Sequence, residues 1–497
     1  MSFDFNDLVT FDVANNHQGS LNHGLRIIEE MGKIASRYHL RAAIKLQYRD
    51  LGTFIHPDFR SRRDVKHIPR FLETKLTWEE FQTLVLSTKD HGMLSAVTAF
   101  DESSVDMALN HGVDILKVGS CSATDWPLLE KVSRARKPVI VSTGGCALPE
   151  VDRVVTFLEH RGVTDLALLH CVGLYPTEDR DQQLGFMSRL MARYPTCAVG
   201  YSGHERPGNL GVVRAAIAMG AKILERHVGL PTASITLNAY SMNPQEVTTW
   251  VEEFLATRQL YGSAQGNKVV SAAEEESLRS LMRGVYARHP MQKGQTLTAD
   301  SVFFAIPCQP GQTPANEYLE SMSASKDYAS GEAIRERRLQ DSVQVMRRVV
   351  HEAKGLLREA RISTGREFDV ELSHHYGMES FRRVGATIVN IVNRAYCKKL
   401  IILLPGQFHP SHAHMQKEET FQVLHGVMEL ELDGVEKSMS PGDIQLIERG
   451  QYHSFRTDAG CVFEEISTTH IKGDSLYQDP VIAALDPVKR KTIIEDW

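Results

Sequence analysis

Cysteine is scarce: seven of 497 residues, an odd number, widely spaced and with no C-x-x-C pair. That argues against a disulfide framework or a zinc-thiolate cluster. Cys121, Cys146, Cys171, Cys197, Cys308, Cys397 and Cys461 are expected as reduced, mostly buried small side chains. Long apolar runs are missing too. A run such as Ile401-Ile402-Leu403-Leu404 falls far short of the roughly 20 residues that cross a bilayer. Positive charge is not in excess: 56 Lys and Arg against 62 Asp and Glu give a net charge of −6, so no basic face for nucleic acid is advertised. Residues 1–7 are acidic and lack the basic and apolar regions of a signal peptide, so a cytoplasmic, non-membrane protein is expected. What remains is a globular composition, 42% hydrophobic and 24% charged, whose length predicts about three domains.

From residue 8 to about 260, short apolar runs alternate with helical patterns. Eight runs read as strands: those around Val9, Ile44, Val97, Leu116, Ile140, Leu168, Val199 and Leu224. Eight strand–helix pairs over this length predict a (β/α)8 barrel, an α/β TIM barrel. An open doubly wound sheet also fits the alternation, but no G-x-G-x-x-G follows the first strand. Asp12, Lys45, Thr98, Lys117, Ser142, His170, Ser202 and His227 fall at the carboxyl ends of their runs, the rim where barrel active sites form.

The barrel is expected over residues 1–265. A linker with a short helix follows at about 262–280. Residues 280–342 read as a small β-rich module, turn-rich (Gly294, Pro307, Pro310, Gly311, Pro314, Gly331) and basic at Arg335, Arg337 and Arg338. A helical link is expected at 345–359, then an all-β barrel or sandwich at 365–490 with a hairpin at Asp433-Gly434 and a turn at Pro441-Gly442-Asp443.

In that last region His412 and His414 stand at i and i+2, so in a strand they share a face; Glu419 and His453 follow on later strands. Three imidazoles and a carboxylate suit a divalent transition metal: zinc, iron, manganese or nickel. With Gly406, Gly426, Gly442 and Gly450 these residues resemble the two motifs of the cupin superfamily, although Glu448 stands where the second motif usually has proline. The stretches Asn393-Arg394-Ala395-Tyr396-Cys397-Lys398-Lys399 and Glu464-Glu465-Ile466-Ser467-Thr468-Thr469-His470 resemble those of D-lyxose isomerase-type cupins. That resemblance implies aldose–ketose interconversion, with Glu465 or Lys417 as the base. A cupin that only binds sugar, regulates or oligomerises stays open beside it.

The N-terminal motifs Asp12-Val13-Ala14-Asn15-Asn16-His17-Gln18-Gly19, Ile44-Lys45-Leu46-Gln47, Thr98-Ala99-Phe100-Asp101, Leu116-Lys117-Val118-Gly119-Ser120, Ser142-Thr143-Gly144-Gly145, Leu168-Leu169-His170-Cys171, Tyr175-Pro176-Thr177, Gly200-Tyr201-Ser202-Gly203-His204 and Glu225-Arg226-His227 resemble the sialic acid synthases in order. Residues 280–342 resemble the antifreeze-like (SAF) domain of that family. The resemblance implies condensation of phosphoenolpyruvate with an aldose. It implies catalytic roles for Asp12, Lys45, Lys117 and Tyr175, and substrate contacts from Gln47, Thr98, Ser120, Ser142 and Ser202. His204 and His227 are the implied ligands of manganese or magnesium, and the implied assembly is a homodimer whose SAF domain caps the partner's barrel. Departures gather on the sugar side: Asp12 replaces a family Glu, Ser122 an acidic residue, Val172-Gly173 an Asn, and Leu237-Asn238 an Asp-His pair. They point to an acceptor other than N-acetylmannosamine, or to a barrel of impaired activity.

Overall fold

The structure, a computed structural model, describes residues 3–262, 268–320, 322–336, 342–365 and 369–494. Two compact units divide the chain, Met1–Ala264 and Gln265–Trp497.

In the first unit, β1 (Leu8–Asp12), β2 (Ala42–Tyr48), β3 (Leu94–Ala99), β4 (Ile115–Val118), β5 (Val139–Ser142), β6 (Leu166–Cys171), β7 (Ala198–Gly203) and β8 (Ile223–His227) close into a parallel barrel in sequence order. The expected TIM barrel is what forms. Its strands are buried on both faces, which explains their near-continuous apolar runs. Helices are started by local chemistry. Ser20 caps Leu21–Arg37, and Thr77 with Glu80 and Asn243 with Glu246 form reciprocal capping boxes on Trp78–Asp90 and Pro244–Tyr261. Ile27, Ile28, Met31 and Ile34 turn one stripe of the first of these helices into the core.

In the second unit, β9 (Gly284–Ala287) pairs antiparallel with β10 (Val302–Ala305) around a separate small core that includes Val285, Met291, Leu297 and Ile334. The proposed linker residues 263–267 and the basic Arg337 and Arg338 lie outside the described residues. The expected helical link is the helix Ser342–Glu359. Beyond it come β11 (Asp369–Ser373), β12 (Ala386–Asn393), β13 (Tyr396–Leu403), β14 (Phe408–His414), β15 (Glu419–Gly426), β16 (Met428–Leu432), β17 (Val435–Met439), β18 (Ile444–Ile447), β19 (His453–Arg456), β20 (Cys461–Thr468), β21 (Ser475–Tyr477) and β22 (Lys491–Ile494).

These strands form one sheet in the order β18-β15-β20-β13-β12-β11-β22 and a second in the order β17-β16-β19-β14-β21. Phe421, Phe463 and Ile401 from the first meet Leu430, Met439 and Phe455 from the second in one core. The other face of the first sheet takes Val349, Ala353 and Leu357 of the helix against Leu400, Ile402 and Val462. Burial on both faces is why β13 ends in an unbroken apolar run instead of alternating. The hairpin falls at Asp433-Gly434, with both residues at positive φ (46° and 84°), as a type I′ turn requires. All seven cysteines are free thiols.

Candidate functional site

Alternation decides which barrel residues meet. Ala43, Ala96, Ile115, Ile140, Ala167, Leu169 and Ile223 form an apolar cluster in the lumen, whereas Ile44, Leu46, Val97, Leu116 and Leu168 belong to the core under the helices. Two residues further along each lumen row the side chains become polar: Lys45, Thr98, Lys117, Ser142 and Glu225, with Asp12 and Ser202 beside them, all buried. Lys45, Lys117, His204 and His227 therefore share the carboxyl end of the barrel. His170 does not join them. It shares a face with Leu166 and Leu168, its Nε2 lies 2.7 Å from the Gln182 carbonyl, and its ring packs on Phe186 and Tyr201. Cys171 takes the lumen position instead.

Glu225 is the hub, and motif reading left it out of the candidate residues. Lys45 Nζ lies 2.7 Å from Glu225 Oε1 and 2.9 Å from Asp12 Oδ2. Lys117 Nζ lies 2.8 Å from Glu225 Oε2, and the Ser202 hydroxyl donates to Oε1 at 2.8 Å. The signal was present in the sequence: if His227 faces the lumen, Glu225 two residues earlier must as well. Burial alone pushes Glu225 up, but Lys117 and Lys45 hold it well below the usual carboxylate range. Burial pulls both lysines down; Asp12 and Glu225 more than reverse this for Lys45, while Lys117 stays lowered. Two buried ammonium groups thus face two buried carboxylates.

The short hydroxyls lie around this hub. Thr98, in register with Gln47 and Lys117, has a buried Oγ1 without a hydrogen-bond partner. Ser142 is buried at the end of β5. Ser120 Oγ accepts from the Gly144 N–H at 3.1 Å, and a Cβ on Gly144 would collide with that oxygen, so glycine sets this spacing. Gln47 Oε1 accepts from Arg49 at 3.0 Å.

His204 and His227 face one another with ring centroids 5.3 Å apart. His204 Nδ1 donates to the Val172 carbonyl at 2.9 Å, which leaves the Nε2 lone pair free; His227 Nε2 lies 3.4 Å from Asp12 Oδ2. Burial, reinforced by His227, pulls His204 down to about 3, and burial likewise lowers His227, so both rings are neutral. Neutral imidazoles beside a carboxylate are a donor set that suits a divalent cation. Tyr175, half exposed, lies over His204 at 4.2 Å, and Tyr240 closes against both Tyr175 and His227. Asn238, one of the two residues that stand where an Asp-His pair is expected, caps the Tyr240 turn: its Oδ1 accepts from the N–H groups of Tyr240 and Ser241.

In the second unit, β14 brings His412 and His414 to one face and pairs His412 with His453 of β19. The donor nitrogens of the three rings lie within 4.8 Å of one another. Each Nδ1 donates to a backbone carbonyl, of Pro410 (3.0 Å), Asp474 (3.3 Å) and Gln451 (3.2 Å). That tautomer aims all three Nε2 lone pairs inward. His453 Nε2 and Glu419 Oε2 are buried, 3.3 Å apart, and neither makes a hydrogen bond. Orphaned acceptors in that pattern fit a metal ion. Burial first, then the neighbouring rings, holds His412 well below its ordinary value; burial and Lys417 take His414 down to about 2.

Lys417 ion-pairs with Glu419 and, at 2.9 Å, with Glu465; Lys399 reaches Glu465 at 3.2 Å. Against its burial, Lys399 and Lys417 hold Glu465 well below the usual range, whereas burial and Glu465 push Glu419 up. Asp474 was not foreseen. Its carboxylate accepts from the N–H groups of Met415, Gln416 and Lys417 at 3.1 Å, fixing the turn that carries Lys417 into the pocket.

Comparison with known proteins agrees with both halves. Residues 38–266 match the NeuB family, and residues 399–463 match the cupin domain. The chain is 30% identical to N,N'-diacetyllegionaminic acid synthase of Legionella pneumophila over 47% of its own length and 69% of that protein. It is 28% identical to N-acetylneuraminate-9-phosphate synthase of Drosophila melanogaster, over 62% of this chain and 89% of that one. Its fold matches the crystal structure of a protein named spore coat polysaccharide biosynthesis protein E from Chromobacterium violaceum with a TM-score of 0.64 and 42% identity, over 66% of this chain and 98% of that one. The chain belongs to the NeuB family. In this NeuB-family chain the barrel is followed by a cupin domain that holds the His412, His414 and His453 cluster. Among the described residues no helix is long and apolar enough to cross a membrane.

Proposed function

We propose that the barrel condenses phosphoenolpyruvate with an aldose, giving a 2-keto-3-deoxy acid and inorganic phosphate, as the sialic acid synthases do. The observation that carries this is the buried Lys45–Glu225–Lys117 network lying on the same rim as His204 and His227. The donor enters by exchange: its phosphate and carboxylate take up the lysine ammonium groups now held by Asp12 and Glu225. Thr98, Ser120, Ser142 and Ser202 add short hydroxyl donors, and Gln47 and Tyr175 border the acceptor. The donor's C3 then bonds to the aldehyde carbon, water adds at C2, and phosphate leaves. Asp12, beside Lys45 and His227, is placed to take the proton of that water. His204, His227 and Asp12 would hold manganese or magnesium, which polarises the aldehyde oxygen when bound.

His412, His414, Glu419 and His453 would hold zinc, manganese, iron or nickel, and the cupin would interconvert the aldose with a ketose. Its ion pairing leaves Lys417 protonated, so Glu465 is the better base. The same pairing favours a second reading, in which the cupin binds sugar without turnover or supports assembly. Residues 280–342 read as the antifreeze-like domain, capping the barrel of a partner in a homodimer; light scattering at two protein masses would support that assembly.

Incubating the full chain with phosphoenolpyruvate and panels of aldoses and of ketoses, with product mass spectrometry, tests the whole scheme. Phosphate release coupled to a product heavier by the three-carbon acid is expected with an aldose, and with a ketose only while the cupin is intact. No release with any aldose sinks the condensation. Replacement of His412 and His414 by alanine separates the cupin readings: lost isomerisation marks an enzyme, lost assembly a structural module.

A further inference from the structure

Arg49 is a cation that the scheme above does not use. It stands two residues beyond Gln47, continuing the lumen row of Ala43, Lys45 and Gln47, so it lies about 7 Å further out towards the barrel mouth than Gln47. Phe100, two residues beyond Thr98, and Phe71 clamp the guanidinium, with Cζ 3.7 and 4.3 Å from the two ring centroids. Of its five N–H donors, Nη2 bonds Gln47 Oε1 at 3.0 Å, while the buried Nε bonds nothing. Among the described residues no carboxylate comes within ion-pair distance of it, in contrast to Lys45 and Lys117 beneath it. Burial draws Arg49 down only to about 10, so it stays charged at neutral pH. It lines a cavity with Asn15, His17, Gln47 and Lys75.

A guanidinium carbon this close to two aromatic rings is restrained, and its unpaired N–H donors suit a phosphate or carboxylate in a bidentate grip. Burying a positive charge without a partner is costly, and an arriving anion removes that cost. Depth decides which substrate supplies it. The lysine layer below already offers two exchangeable cations to the donor, so the outer guanidinium serves the molecule that sits nearer the mouth. Resting on the condensation reading, we propose that Arg49 binds an acid group on the acceptor aldose and selects a sugar that carries one.

The test compares a neutral hexose with its 6-phosphate and with the corresponding hexuronate, each with phosphoenolpyruvate, using the full chain and the variants Arg49→Gln and Arg49→Lys. The two acidic sugars separate a phosphate from a carboxylate as the recognised group. The expected result is a kcat/KM at least ~10-fold higher for one acidic sugar than for the neutral one. Arg49→Gln should abolish that preference, Arg49→Lys should restore part of it, and the KM for phosphoenolpyruvate should move less than about twofold. Equal use of neutral and acidic sugars, or a rise in the phosphoenolpyruvate KM in Arg49→Gln, overturns the proposal. Calorimetric titration with the same sugars keeps the two readings apart. Arg49-dependent binding of an acidic sugar without condensation removes the reaction and retains the site, whereas loss of both removes the site as well.

Discussion

Lys45 and Lys117 in the barrel are matched by Asp12 and Glu225, and in the cupin Lys399 and Lys417 are matched by Glu419 and Glu465. Both lysine–carboxylate clusters balance their formal charges, yet the two sites differ in what is left over. The barrel hub has every lysine and carboxylate engaged, so a charged ligand has to displace an existing partner. The cupin pocket has three converging imidazole lone pairs, with His453 Nε2 and Glu419 Oε2 unbonded, so its donor set suits a cation rather than an exchanging anion. Paired charges accept anions by substitution; orphaned lone pairs ask for a metal.

The largest expected effect tests the second half of that contrast. His412→Ala with His414→Ala should remove bound transition metal almost completely, lowering affinity by well over the 10–100-fold that loss of supporting partners alone costs. Elemental analysis of purified protein reads this out, and unchanged metal content would erase the distinction. Next comes the barrel. Lys117→Met leaves Glu225 buried with one cation fewer and should cost about 3–5 kcal/mol in denaturant unfolding. Adding Glu225→Gln should recover part of that loss, because the uncompensated charge goes with it. A single-variant loss below about 1 kcal/mol would mean that water or another group already screens the hub.

How far these sites were legible in the sequence follows from the same chemistry. Period-two rows and motif spacing placed Lys45, Lys117, His227, His412 and His414 because strand alternation is local. His170 failed by one residue: both faces of β6 are buried, so its apolar run carries no clue to which face looks inward. Glu225 was passed over because a carboxylate among basic motifs reads as solvated until its two lysine partners, 180 and 108 residues away, are seen to surround it. Asp474 was out of reach for a related reason. It holds the Lys417 turn from 57 residues downstream, and nothing in its neighbourhood marks it.

Acid should separate the two regions by a smaller margin. Burial, with Arg490 nearby, takes His375 in the cupin unit down to about 4 from an ordinary 6.5. The unfolded chain binds that proton near pH 6.5 and the folded one only near 4, so the group's contribution is intact above 6.5 and is lost as pH falls between those values. One such ring is worth about 3 kcal/mol at the end of that window. His375 meets His409, which packs on His412, so the metal-free cupin carries a chain of such rings in contact, whereas the barrel has the pair His204 and His227, with His17 packed on Phe81. Hydrogen exchange followed by unit from pH 7 to 4.5 should show the metal-free cupin opening first. Simultaneous opening would place the acid sensitivity elsewhere.

The smallest effect concerns an exposed aromatic contact at the barrel rim. Tyr175 lies 4.2 Å from the His204 ring yet is 56% exposed, so its replacement should move stability by less than about 0.5 kcal/mol. An aromatic pair of this kind contributes about 0.5–1.5 kcal/mol. Tyr175→Ala should therefore weaken condensation by roughly 2- to 13-fold as His204 loses its cover. Tyr175→Phe keeps the ring and removes only the hydroxyl, so it should stay within about twofold of the parent if orientation of His204 is the whole contribution. A loss comparable to that of Tyr175→Ala would transfer the role from ring to hydroxyl, and would make Tyr175 a group that touches the acceptor.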